Sequence, residues 1–213
     1  MNNTPQPTAP WEIRFCRGTS GCPNALDDAA QLAGMLERTC RDSGLEDFVR
    51  SRVQGPLKRH HQFRIALSCC PNGCTQPQIA DIGLLGAGSV TRTREECTQC
   101  AACVQACTEQ AVVLTPDGAV IDRQRCLHCG QCARACPTGT LELTGTGWRV
   151  QLGGRLGRHP RLGRELKGIL SEAEVLEAVQ ISLEHFIRHG RPGERLGDLL
   201  SRRDLSGVRW RAL

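Results

Sequence analysis

Apolar positions recur at helical spacing at Ala25/Leu26, Ala29/Ala30, Leu32/Ala33 and Leu36, and the run closes near Ser43-Gly44. The spacing predicts a helix that starts directly after Cys22 and Pro23. Phe63-Arg64-Ile65-Ala66-Leu67 reads as a strand that delivers Ser68 to Cys74 as a tight turn at its end. A second apolar segment, Ile79 to Leu85, reads as another strand and runs into Gly86-Ala87-Gly88. From about Thr93 to Thr144 the pattern repeats itself. Each half carries a cysteine run, a small-residue helix between the third and fourth cysteines, and a short β-rich segment, Ala111 to Leu114 and then Leu141 to Leu143. Val120-Ile121 completes the small sheet. Trp148 to Leu152 reads as a strand and leads into the Arg/Gly-rich stretch Gly153 to Arg164. Ser171-x-x-Glu174 is a capping box that opens a long amphipathic helix (Val175, Leu176, Val179, Leu183, Phe186, Ile187) closing at Gly190 with Pro192 beyond. A shorter helix with Leu196, Leu199 and Leu200 follows, and both helices read as packing elements.

Cysteine usage turns this pattern into chemistry. Twelve of the 14 cysteines fall into three groups of four. Two groups sit back to back as Cys97-x2-Cys100-x2-Cys103-x3-Cys107 and Cys126-x2-Cys129-x2-Cys132-x3-Cys136-Pro137, the run with which bacterial ferredoxins hold a pair of 4Fe-4S clusters. Three ligands on one loop cover three corners of a cubane, and the fourth cysteine of each run crosses to the other cluster. One cluster then takes Cys97, Cys100, Cys103 and Cys136, and the other Cys107, Cys126, Cys129 and Cys132. Zinc ribbons pair two C-x2-4-C knuckles and need no C-x2-C-x2-C succession. Thr108, where such a run often has Pro, is one departure. His128 lies between two ligands and reads as part of the cluster environment. The third group is split, with Cys16-x5-Cys22 near the N-terminus and Cys70-x3-Cys74 about fifty residues later, so the fold must bring two loops together. Cys40 and Cys69 are left over, and Cys69 reads as a small buried residue beside the third group.

Charge and composition then exclude classes. Residues 1–10 are polar and Pro-rich with no apolar h-region, and no stretch approaches the roughly 20 apolar residues needed to span a bilayer, so the expectation is a reducing cytoplasm in which clustered thiols are metal ligands. The formal net charge is +5 with only two lysines, Lys58 and Lys167. Each four-thiolate cluster adds roughly −2, which brings a three-cluster protein close to neutral and weakens a nucleic-acid reading; no helix carries a basic stripe.

The segments Phe15 to Cys22, His61 to Cys74 with the following Asp81-Ile82-Gly83, Gly153 to Arg158, and Gly193-Glu194-Arg195-Leu196 resemble the siroheme-containing sulfite and nitrite reductases. The inserted two-cluster unit is similar to the anaerobic and dissimilatory branch. The resemblance implies that Cys16, Cys22, Cys70 and Cys74 bind a 4Fe-4S cluster and that Cys74 also ligates the siroheme iron. It implies cofactors of siroheme and three 4Fe-4S clusters, and an enzyme that reduces sulfite to sulfide with electrons delivered through the inserted clusters. Nitrite is the alternative substrate, and a siroheme-free multi-cluster electron carrier is the reading from another class. Siroheme is rich in carboxylates, which the planar arginine fork pairs bidentately; Arg14, Arg17, Arg64, Arg155 and Arg158 flank the motifs and are the candidates. Arg64, with Arg14, is the candidate for catalytic contact with substrate, with His60 and His61 upstream.

The fold class expected is α+β: a mixed sheet with helices on one side, forming a siroheme half-domain over 12–92 and 145–213, with a ferredoxin-like two-cluster module inserted over 93–144 and a flexible tail over 1–11. Relatives carry a substrate-side domain ahead of the C-x5-C motif, whereas only 15 residues precede Cys16 here. The missing wall is expected from a dimer mate or a second reductase subunit, unless the chain works as a short form or as an electron carrier. The remaining partners expected are an external electron-donor protein and the substrate anion, with no nucleic acid and no membrane.

Overall fold

The computed structural model describes residues 7–202. Strands β1 (Trp11–Phe15), β2 (Phe63–Ser68) and β3 (Ile82–Arg92) run parallel, and β6 (Leu141–Leu152) and β7 (Arg164–Glu165) continue the sheet antiparallel in the order β1-β2-β3-β6-β7. Alternation sends Phe63, Ile65, Leu67, Ile82, Leu84, Trp148, Val150 and Leu152 into one core. That core is closed by Leu32 and Leu36 of helix α1 (Ala30–Asp42) and by Val175, Val179, Leu183 and Phe186 of α5 (Glu172–His189). Helix α2 (Leu45–Arg50) adds Phe48, whose ring lies 5.1 Å from that of Phe186. The mixed sheet and its helical face agree with expectation.

The capping box is present in full: the Ser171 N–H donates to Glu174 Oε2 at 2.8 Å, and the Glu174 N–H donates to Ser171 Oγ at 3.4 Å. Helix α6 (Leu196–Arg202) packs Leu196, Leu199 and Leu200 inward as the spacing implied.

Four local expectations change. Helix α1 begins at Ala30, well after Cys22, because the Leu26 N–H is taken by the Cys69 carbonyl at 2.9 Å and Asp28 Oδ1 accepts from the Ala30 N–H at 3.0 Å. Residues 23–29 therefore form a turn, and their apolar side chains serve contacts other than a helix face. Strand β3 begins at Ile82 because Pro77–Ile79 form a 3-10 turn, and it runs on to Arg92, so Gly86-Ala87-Gly88 lies in its middle. A Cβ at Gly86 would meet the Cys69 carbonyl oxygen at 2.4 Å, which requires glycine there. Leu141 to Leu143 pairs with Val90 to Arg92 as the first part of β6, and the small sheet is the hairpin of β4 (Val112–Thr115) with β5 (Gly118–Ile121) alone. Finally, Trp11, assigned to the tail, opens β1 and is buried; Pro10 and Ala9 carbonyls already accept from the Phe63 N–H and the Gln62 amide. Residues 1–6 of that tail and 203–213 of the larger domain lie outside the described residues.

Residues 93–140 thus leave β3 and return to β6 as an excursion with its own core of Cys103, Val112, Ala119 and Cys132 against Val90 and Leu141. Two four-residue helices, α3 (Ala102–Gln105) and α4 (Gln131–Arg134), each contain the third cysteine of a run. Among the described residues no helix is long and apolar enough to cross a membrane.

Candidate functional site

Parallel pairing of β1 with β2 sets Phe15 beside Leu67, so both strands release their next residues at the same end of the sheet. The Cys16 N–H donates to the Leu67 carbonyl at 3.2 Å, and the Cys16 sulfur accepts from the N–H groups of Gly18 and Cys69, each at 3.2 Å. A 3-10 turn over Arg17–Ser20 and a left-handed Gly21 then carry the chain to Cys22. Cys16, Cys22, Cys70 and Cys74 line one cavity of about 320 Å3. Burial pushes the Cys70 thiol up, the Asn72 N–H draws it back, and Cys74, Cys16 and Cys22 push it up again, which marks all three as close neighbours. Two pairs about fifty residues apart are therefore assembled by strand register.

Gly18 and Cys69 form the floor of this arrangement. A Cβ at Gly18 would stand 2.4 Å from Cys69 Cβ and 2.5 Å from its sulfur. Cys69 is fully buried and its thiol is pushed up to about 12, chiefly by burial and by Cys16. It stays a neutral packing group, as expected. Gly18→Ala is expected to cost about 1–3 kcal/mol of overpacking. Urea unfolding of the substituted and unsubstituted chains checks this.

In the excursion the repeat is visible in the backbone. Gln99 and Ala101 have φ of 58° and 60°, and His128 and Gly130, at the same places between their cysteines, have φ of 60° and 71°. These left-handed positions wrap each loop around its sulfurs. The His128 N–H points at Cys126 Sγ (3.4 Å) and the Ala111 N–H at Cys107 Sγ (3.2 Å). Such N–H···S contacts stabilise thiolates that carry iron.

The third and fourth cysteines of both runs, Cys103, Cys107, Cys132 and Cys136, share one small core. Cys103 is pushed up by burial, relieved by the Val104 and Cys103 N–H groups, and pushed further by Cys136 and Cys97. Cys132 reaches about 11 through burial, opposed by the Ala133 N–H and reinforced by Cys126, Cys129 and Cys107. Cys136 and Cys107 therefore each neighbour the other run. Cys100 is exposed on the loop between Cys97 and Cys103. Burial also raises Cys136, but N–H groups from Leu141, Thr138 and Thr140 and the Thr138 hydroxyl bring it down to about 7. Buried thiols such as Cys103 and Cys132 give up their protons more readily beside the positive charge of bound iron. A spread of four sulfurs around a cavity suits a cluster; among the described residues no three His, Cys, Asp or Glu side chains converge on a single metal ion. Cys40 is buried within α1, its thiol pushed to about 12 mainly by burial, and takes no part.

The five arginines do not gather around one pocket. Arg17 lines the cysteine cavity. Arg14 and Arg64 stand on the sheet face opposite the helices, each with Nε buried and without a hydrogen-bond partner; Glu12 lies 3.5 Å and 3.8 Å away. Burial, Arg195 and Arg14 lower the Arg64 pKa against the pull of Glu12 and Asp81. Such a site would gain from an added anion, so Arg14 and Arg64 fit a carboxylate-rich cofactor. Arg155 does not: it is bound to Asp198 at 2.5 Å and to the His159 carbonyl at 2.7 Å. Arg158 is exposed in the same loop, which meets the first residues of β3 at the end of the sheet away from Cys16. His60 and His61 line a separate cavity of about 260 Å3 with Phe48, Phe63 and Phe186, again at the far end of β2.

Sequence reasoning marked Asp81 and Arg195 only as parts of motifs. The structure joins them: fully buried Asp81 accepts from the Arg64 backbone N–H at 2.9 Å, from Arg195 Nε at 3.0 Å and from a second Arg195 nitrogen. Burial lowers the Arg195 pKa, and Asp81 more than restores it. An acid directly before the apolar run Ile82 to Gly88 is the signal that could have found the pair.

Strand ends that collect cysteines into cluster-sized sets define an iron-sulfur redox protein. The chain belongs to the nitrite and sulphite reductase 4Fe-4S domain family, whose model matches residues 8–210. It is 33% identical over 164 residues to the coenzyme F420-dependent sulfite reductase of Methanocaldococcus jannaschii, covering 77% of this chain and 24% of that protein. It is 30% identical over 179 residues to one of the subunits of the anaerobic sulfite reductase of Salmonella typhimurium, covering 82% of this chain and 48% of the relative. The chain thus spans less than half the length of these relatives. Among solved structures, dissimilatory sulfite reductase I shares the fold with a TM-score of 0.60 at 17% identity, over 92% of this chain and 50% of that one. The NirA protein of Mycobacterium tuberculosis does so with a TM-score of 0.52 at 20% identity, over 95% and 28%.

Proposed function

We propose that this chain is the cofactor-bearing part of a siroheme-dependent reductase that converts sulfite to sulfide in the cytoplasm, with nitrite as the alternative substrate. One observation carries the reading: Cys16, Cys22, Cys70 and Cys74, far apart in sequence, line one cavity at the ends of two paired strands. When bound, siroheme and its attached cluster would supply the electrons and the metal site at which a small oxyanion is reduced. Cys16, Cys22 and Cys70 hold one side of that cluster, and Cys74, the exposed member of the four, faces outward where its sulfur can serve both metals. Arg17 beside the cavity and Arg14 and Arg64 on the sheet face opposite the helices would pair with the cofactor's carboxylates or the substrate anion. The inserted module of residues 93–144 holds two further clusters through Cys97, Cys100, Cys103 and Cys136, and through Cys107, Cys126, Cys129 and Cys132. An outside donor protein reduces these, and a partner subunit or second copy completes the substrate wall.

The dispersal of the arginines favours one second reading, a three-cluster electron carrier without siroheme. The absorption spectrum of anaerobically purified protein separates the two. Soret and longer-wavelength bands are expected; a broad cluster shoulder alone overturns the reductase reading.

A further inference from the structure

Arg134 sits on α4 between Cys132 and Cys136 and reaches out of its own unit. Its guanidinium donates to the carbonyls of Pro23 and Ala25, both at 2.9 Å, across sequence separations of 111 and 109 residues. Those carbonyls belong to the turn that begins at Cys22. The next residue, Leu26, is held from both sides. Its N–H bonds to the Cys69 carbonyl at 2.9 Å, and its side chain lies over Gly130, where a Cβ would meet both Leu26 and Leu143 at 3.3 Å. Beside this junction a cavity of about 420 Å3 is bordered by Cys70 and Cys129, with Asn24 and Gln131 on its wall. No cysteine of the Cys97 set lines it.

We infer that Arg134 is a positioning residue: it pins the Cys22 turn against α4 and so fixes the spacing between the Cys16/Cys22/Cys70/Cys74 set and the Cys107/Cys126/Cys129/Cys132 set. This rests on the cluster assignment made above. With clusters bound, the inserted set and the Cys70 set would exchange one electron across that gap with no bond made or broken, and a one-electron carrier outside the chain would replace it. Arginine suits the task because its planar fork reaches two carbonyls at once, which a lysine ammonium does not match.

The test uses the full holo-chain with Arg134→Gln and Arg134→Lys. Iron content is expected to stay at the unsubstituted level. In Arg134→Gln the magnetic interaction of the reduced Cys70-set cluster with the inserted pair, read by EPR after dithionite reduction, should weaken, while the interaction within the inserted pair, which sits on its own core, should persist. Amide exchange at Ala25 and Leu26 should rise about tenfold, and Arg134→Lys should recover less than half of either change. An unchanged EPR interaction of the Cys70-set cluster, or unchanged exchange, in Arg134→Gln overturns the inference. Should the unsubstituted protein hold no iron at the Cys70 set, the cluster assignment fails instead, and exchange alone then decides whether Arg134 is a clamp.

Discussion

On the reading proposed above, Cys74→Ser is expected to reduce sulfite or nitrite turnover below detection, to abolish tetrapyrrole ligation, and to lower iron content by about a third, because one of three proposed clusters would lose a ligand. A serine oxygen replaces thiolate poorly on iron, and at this position the loss reaches both metals. Exposure sets Cys74 apart: Cys70 is buried and Cys16 and Cys22 are half-buried, so the outward sulfur is the one a flat macrocycle could approach. The sets in the excursion should survive, since their loops fold on a separate core. Iron analysis together with the visible spectrum checks both halves of the expectation. Equal loss of iron from all three sites would show that the sites are not modular. Cys69→Ala is the matched control. Its thiol is buried, neutral and outside the proposed ligand set, so iron should be retained.

The cysteine spacing made much of this site readable because cluster binding imposes short, fixed intervals on a chain. Pairing partners across the repeat were expected from the shape of a cubane, and Cys103, Cys107, Cys132 and Cys136 share one small core, which leaves the assignment of ligands to iron analysis. Long-range assembly of Cys22 with Cys70 was suggested by the split group of four and specified by family resemblance, since parallel register leaves no local mark. Helical periodicity failed at Ala25 and Leu26 because their spacing serves the Cys69 carbonyl and the Gly130 notch, not a helix face. A tertiary contact overrode a local pattern. The arginines were the least legible part. Arg155 and Arg64 both flank motifs, yet one is hydrogen-bonded and neutralised by Asp198 while the other keeps a buried Nε with no hydrogen-bond partner and only Glu12 at 3.8 Å. Flanking a motif does not reveal which carboxylate within the chain already claims a guanidinium.

The same logic makes Asp81→Asn the substitution with the largest expected effect on stability. Asp81 is fully buried and holds three elements together: the start of β2 through the Arg64 N–H, the approach to α6 through Arg195, and the loop after β6 through its own carbonyl, which accepts from the Gly153 N–H at 2.7 Å. Asparagine keeps the size and one acceptor but leaves the largely buried Arg195 charge with only the weaker influence of Asp198. Breaking a buried pair from one side typically costs about 3–5 kcal/mol. Urea unfolding of the full chain should register a loss of that order. Arg195→Gln added to Asp81→Asn should restore part of it, because no uncompensated charge remains, and the coupling between the two changes should exceed about 1 kcal/mol. A loss below about 1 kcal/mol for Asp81→Asn alone would mean that water or another carboxylate reaches Arg195. Asp81-Ile82-Gly83 and Gly193-Glu194-Arg195-Leu196 would then owe their place in the family pattern to something other than this ion pair. If the full cost is found, both segments mark the scaffold that presents the cysteine ends of β1 and β2, and iron content at the excursion's two sets should be unaffected in the same variant.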